Sequence, residues 1–191
     1  MGILAAVGAL TTSLLLLTSA VAHLRRPAAL RADLAAHGVL PTRSRSLVVA
    51  VLPVAELATG GAGIVALVRG ERLPLALVLA AQALLLAAFA GYLTLVLGTG
   101  RARVPCGCGL PDVPVGPAAV ARAAGLAVLA AAAAVALALP GAAALAPDRD
   151  LATVALVAVA GPTLALLLAI VQPARRLPPG TRTLTLPGAA S

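Results

Sequence analysis

Cys106 and Cys108, the only cysteines in the chain, are one glycine apart in Val104-Pro105-Cys106-Gly107-Cys108-Gly109-Leu110. Thiols two positions apart can bond only where the backbone bends sharply, and Gly107 and Gly109 supply the freedom to bend. So small a ring makes a strained, readily reduced disulfide, which suits thiol–disulfide exchange better than a structural bridge. Arg101 and Arg103 just upstream, and a helix start just downstream, favour the thiolate. A closed zinc site is not expected, since it takes four ligands and His23 and His37 fall in another loop; two thiolates would suit a soft Cu(I) ion. The competing reading is of two small residues in a Gly/Pro loop with no chemistry.

Two charges inside apolar runs are the other candidates. Glu56 lies about nine residues into its run, roughly 13 Å deep at about 1.5 Å per residue, near the middle of a bilayer. An acid at that depth costs about 2.5–3.5 kcal/mol, so it is expected to face the bundle interior, either paired or protonated and bonded to a neighbouring backbone. Arg122 comes about four residues into its own run, and its side chain can reach toward Glu56 or snorkel to the headgroups. Gln82 and Tyr92 are candidate polar partners within the bundle, or plain core residues. His23 and Arg25 read most simply as an interfacial anchor.

The elements that carry these residues are membrane spans. The chain has 191 residues, 61% of them hydrophobic and only 10% charged. Uncharged or nearly uncharged runs occur near 3–22, 47–68, 73–97, 118–139 and 151–172, each long enough to cross the hydrocarbon core as a helix. The expected fold is therefore all-α: a polytopic transmembrane helical bundle of about five spans, forming one domain over residues 1–172, with a disordered tail over 173–191. Ala20-Val21-Ala22 resembles a cleavage site, but no basic residue precedes the first run and Arg25 and Arg26 follow it, so it is expected to be a retained span. Residues 27–36, with Pro27 at the start and Gly38 just past the end, predict a short helix lying on the membrane surface.

All fourteen basic residues are arginines, and most flank the apolar runs. The net charge of +8 therefore reflects topology and not nucleic-acid binding, for which aromatic platforms are also missing: there is one Phe, one Tyr and no Trp. With five spans, only Arg69, Arg72 and Arg149 fall on one side and the remaining eleven on the other. Basic short loops stay in the cytoplasm, so the N-terminus is expected outside, and the Cys106–Cys108 loop and the C-terminus inside, the plasma (inner) membrane.

Several local patterns coincide: Ala22-His23-Leu24-Arg25-Arg26-Pro27, His37-Gly38-Val39-Leu40-Pro41, Leu52-Pro53-Val54-Ala55-Glu56-Leu57 and Pro105-Cys106-Gly107-Cys108-Gly109. Together they resemble the MauE family, the methylamine utilisation membrane proteins, related to the DoxX-like proteins, over about residues 5–172. The chain departs from the family's usual Cys-x-Cys-Phe-Gly by having Gly109-Leu110 after Cys108, and has Ala123 where an Asn commonly follows the arginine. The resemblance implies a DoxX-like four-helix core and a role in maturing the small subunit of methylamine dehydrogenase, with a thioredoxin-like partner. It implies Cys106 and Cys108 as the redox pair, and Glu56 and Arg122 as polar residues of the bundle.

The leading expectation is a membrane protein that assists redox maturation of an exported partner through its two thiols. No cofactor is evident; a quinone near Glu56 could relay equivalents, since no second cysteine pair exists for the outer side. The alternatives are a non-enzymatic scaffold, and a small transporter or copper handler using Glu56 and the thiols.

Overall fold

The computed structural model describes residues 2–100, 115–139 and 160. Among them are five helices and no strand: α1 (Gly2–Arg25), α2 (Pro27–His37), α3 (Thr42–Arg69), α4 (Arg72–Gly98) and α5 (Pro117–Ala138). All but α2 are long and apolar enough to cross a membrane. The expected all-α transmembrane bundle is therefore what the chain forms, with four spans among the described residues. The fifth expected span, the tail over 173–191, and both cysteines lie outside them.

Each helix ends where its sequence stops supporting it. Pro27 stands at the start of α2, where its missing N–H is not needed, and Gly38 follows His37 at φ 66°. α3 ends on Gly70 at φ 70°, whose N–H reaches Leu67 O at 3.2 Å while that of Glu71 reaches Ala66 O at 3.2 Å. This paired closure satisfies the last carbonyls of α3 and starts α4 at Arg72.

The spans pack in the cyclic order α1, α3, α4, α5, with α1 against α3 and α4 against α5 as the tightest pairs. α1 and α3 run antiparallel, because Ser13 meets Gly60 and Gly63 while Ser19 and His23 meet Glu56. α4 and α5 do likewise: Leu93 and Val96 cluster with Val115 and Ala119, while at the other end Arg72 donates to the carbonyls of Leu137 and Leu139. One end of the bundle therefore gathers the C-termini of α1 and α4, the N-termini of α3 and α5, and α2, which packs through Leu30 and Leu34 onto Val49. The opposite end has an aliphatic core that includes Ala9, Ala66, Leu79 and Ala130. Large apolar residues such as Val54, Leu77 and Val128 are exposed on the outer faces, as lipid contact requires.

Small residues set the α1–α3 distance. A Cβ on Gly60 would lie 2.9 Å from Leu17 Cγ and 3.0 Å from Ser13 O, and one on Gly63 would collide with Ser13 Oγ and press on Gln82 Nε2 at 2.8 Å. At Gly61, on the same helix, a Cβ would meet nothing within 4 Å. Gly63→Ala is expected to destabilise the bundle by about 1–3 kcal/mol through overpacking. Gly61→Ala is expected to be neutral or stabilising by up to about 1 kcal/mol through helix propensity. Thermal unfolding followed by helical circular dichroism in detergent distinguishes the two; equal midpoints would refute the close approach.

Candidate functional site

The buried residues of α3, Val49, Pro53, Glu56, Gly60, Gly63 and Ala66, recur every three or four positions and form one stripe facing the bundle. That spacing alone turns Glu56 inward. On α1, Ser19 and His23 are four residues apart, hence on one face, and antiparallel packing brings both to the carboxylate. Ser19 Oγ donates to Glu56 Oε1 at 2.8 Å, and His23 Nδ1 lies 2.9 Å from Glu56 Oε2. His23 and Glu56 are each only 5% exposed. With Nδ1 donating, the acid is satisfied by two side chains of α1 and not by a neighbouring backbone. His23 is thus no interfacial anchor, because α2 and α3 continue beyond the end of α1 and enclose it; Arg25 is exposed and remains at the surface.

Deeper in the bundle a second polar layer joins three helices. Gln82 of α4 is fully buried; its Oε1 accepts from Thr12 Oγ1 at 2.7 Å, and its Nε2 donates to Ser13 Oγ and to Thr59 O, both at 3.0 Å. Both amide hydrogens and the carbonyl are used, so a glutamine among alanines and leucines carries no uncompensated burial cost. Gln82 is therefore a bundle partner, one of the two readings open from sequence.

The third layer lies at the α2 end. His37, 1% exposed, places Nδ1 2.8 Å from Tyr92 Oη, with the ring centroids 5.5 Å apart. Tyr92 thereby also takes the polar role, and α2 is tied to α4 as well as packed on α3. His37 and His23 sit in helices, not in a loop as the sequence reading had them. Between them on α2 lies Asp33, half-buried; burial raises its carboxyl above the ordinary carboxylate range, and the charges of His37 and His23 pull it back down.

Arg122 is half-buried on the second turn of α5, the helix across the bundle from α3. The Glu56 carboxylate takes hydrogen bonds from His23 and Ser19 of α1. Cys106 and Cys108 fall in the stretch between Gly100 and Val115 that lies outside the described residues. The chain leaves and re-enters at the α2 end, where Val115, 1% exposed, packs with Leu93, Val96 and Ala119. Sequence reading singled out Glu56, Gln82 and Tyr92 but missed Ser19 and His23 as partners. The available signal was two polar positions four apart near the end of an otherwise apolar run.

The family model described as methylamine utilisation protein MauE matches residues 1–139, the stretch that holds α1 to α5 and both cysteines. It stops short of residue 172, where the motif-based resemblance ended. No curated protein and no solved structure matches the chain.

His23→Ala, which strands a buried acid, is expected to cost about 3 kcal/mol. The double variant His23→Leu/Glu56→Leu is expected to cost less than either single change, since an apolar pair leaves nothing unpaired. Gln82→Leu is expected to cost only about 1 kcal/mol, because Thr12 Oγ1 is already 3.0 Å from Gly8 O and can fall back on its own helix. A double-mutant cycle on thermal midpoints in detergent measures all three; additive His23 and Glu56 effects would show that the pair is not coupled.

Proposed function

The chain belongs to the MauE family of methylamine utilisation proteins, and on that premise we propose that it is an accessory protein that assists redox maturation of an exported partner, with Cys106 and Cys108 exchanging with a thioredoxin-like protein. The observation that carries this reading is the placement of the chain's only two thiols, one glycine apart, in the connection between α4 and α5. Described chain flanks that connection on both sides at the α2 end, where exposed Arg25, Arg26, Arg31 and Arg43 also lie. Arginine is concentrated at that end, with only Arg69 and Arg72 at the other among the described residues, which supports a cytoplasmic α2 end in a plasma membrane.

In the exchange, the thiolate of one cysteine attacks a sulfur of the partner's disulfide. A mixed disulfide forms and the partner's second sulfur leaves as thiolate. The remaining cysteine then attacks its neighbour's sulfur in the mixed disulfide, releasing the partner's dithiol and leaving Cys106–Cys108 oxidised. Two electrons pass from the pair to the partner, and cytosolic thiols, oxidised in turn to a disulfide, restore the pair. The family's own description is methylamine utilisation protein, and the partner this reading names is a disulfide-rich dehydrogenase subunit of that metabolism.

A variant with one cysteine replaced, Cys106→Ser or Cys108→Ser, is expected to trap a mixed disulfide with the thioredoxin-like protein, visible on non-reducing gels. Cys106→Ser/Cys108→Ser is expected to insert normally but abolish maturation of the exported partner. Full maturation in the double variant would refute the redox role. Because the chain has no other cysteine, a membrane-impermeant maleimide labels the native protein at this loop alone. Labelling is expected in inverted vesicles and not in intact cells; the reverse result would overturn the orientation.

A further inference from the structure

The three polar layers are not distributed evenly across the membrane. From the α2 end inward come His37–Tyr92, then His23–Glu56–Ser19, then Gln82 with Thr12, Ser13 and Thr59 O. Beyond Gln82, toward the Arg72 end, the buried core includes Ala9, Ala66, Leu75, Leu79 and Leu137, and among the described residues no buried titratable side chain lies there. Pro53, inward-facing one turn above Glu56, has no N–H to donate, so Val49 O is left without its helical partner on the α2 side of the acid. Among the described residues, buried titratable side chains thus continue from Glu56 toward the α2 end only.

We propose that the His23–Glu56 pair is a proton-binding site within the bilayer, loaded and unloaded solely from the α2 end of the bundle. In the unloaded state the carboxylate accepts from Ser19 Oγ and from the neutral imidazole, and the pair carries one negative charge. Uptake of one proton gives imidazolium and carboxylate, or imidazole and carboxylic acid across the same 2.9 Å bond, and the pair becomes neutral. Asp33 of α2, half-buried at this end, is one titratable group on the surrounding elements. The other charged or titratable groups at this end are His37 of α2, Arg45 of α3, bonded to Leu40 O at 2.7 Å, Tyr92 of α4 and Arg122 of α5, with Arg25, Arg26, Arg31 and Arg43 exposed at the surface. Gln82 cannot carry the proton further: its amide neither gains nor loses one near neutral pH, and no buried titratable side chain follows among the described residues. The pair is a one-sided proton well and not a channel, and this holds whether or not the cysteines exchange disulfides.

The chain has two glutamates, Glu56 and Glu71, and Glu71 is exposed at the opposite end. Cys106→Ser/Cys108→Ser/Glu71→Cys therefore leaves Glu56 as the single glutamate and supplies one thiol that reports which end faces the medium. With carbon-13 glutamate and nitrogen-15 histidine labels, infrared and magnetic-resonance signals of this protein in sealed liposomes are read after a pH step in the outer medium. The expected result is a titration of the His23 and Glu56 signals in vesicles whose α2 end faces out, with none in the opposite orientation. Glu56→Gln is expected to abolish the carboxyl signal, and His23→Gln, which preserves hydrogen bonding at neutral charge, to remove the coupled histidine signal. Signals that do not titrate while the helices stay folded would make the pair purely structural. Equal response in both orientations would overturn the one-sidedness, as would a proton leak through the vesicles that Glu56→Gln stops.

Discussion

A carboxylate inside a lipid-embedded helix has no water to turn to, and the packing of this bundle follows from how Glu56 is satisfied. The solution is to bring α1 alongside α3 in one register, the register in which Ser19 and His23 reach the acid. Any sliding of α1 by a turn would strand the carboxylate and also part Thr12 and Ser13 from Gln82. Hydrophobic matching offers no such precision, since lipid tails are as apolar as the leucines they would replace. Polar contacts therefore choose the alignment, and Gly60 and Gly63 permit the close approach that those short contacts need.

The two ends of the bundle are finished differently. At one end Arg72 takes the final carbonyls of α5 and a short turn at Gly70 and Glu71 joins α3 to α4, so three helices are tied by backbone and guanidinium. At the other, α2 lies on α3 and reaches α4 through His37 and Tyr92, while the link from α4 to α5 runs from Gly98 to Pro117.

Much of this was legible in the sequence because it depends on local rules. Span limits follow from uncharged length, and the short helix from Pro27 to His37 is announced by its proline and by Gly38. The inward turn of Glu56 follows from the cost of an acid in lipid. The partner of Glu56 was not legible. His23 follows a long apolar run and adjoins Arg25 and Arg26, a context that suggests an interface; its burial comes from α2 folding back and α3 extending past it, both tertiary events. The motif resemblance did identify the family, because motifs are read directly from sequence whatever the tertiary register.

The scarcity of aromatic residues has a practical consequence at the α2 layer. Tyr92 is the only tyrosine in a chain without tryptophan, and its hydroxyl lies in contact with His37 Nδ1. Excited at wavelengths beyond the absorption of Phe89, the protein's intrinsic fluorescence therefore originates from one ring whose environment is the seat of α2. The molecule carries its own optical gauge of whether that surface helix is docked, with no label to attach and no second emitter to subtract.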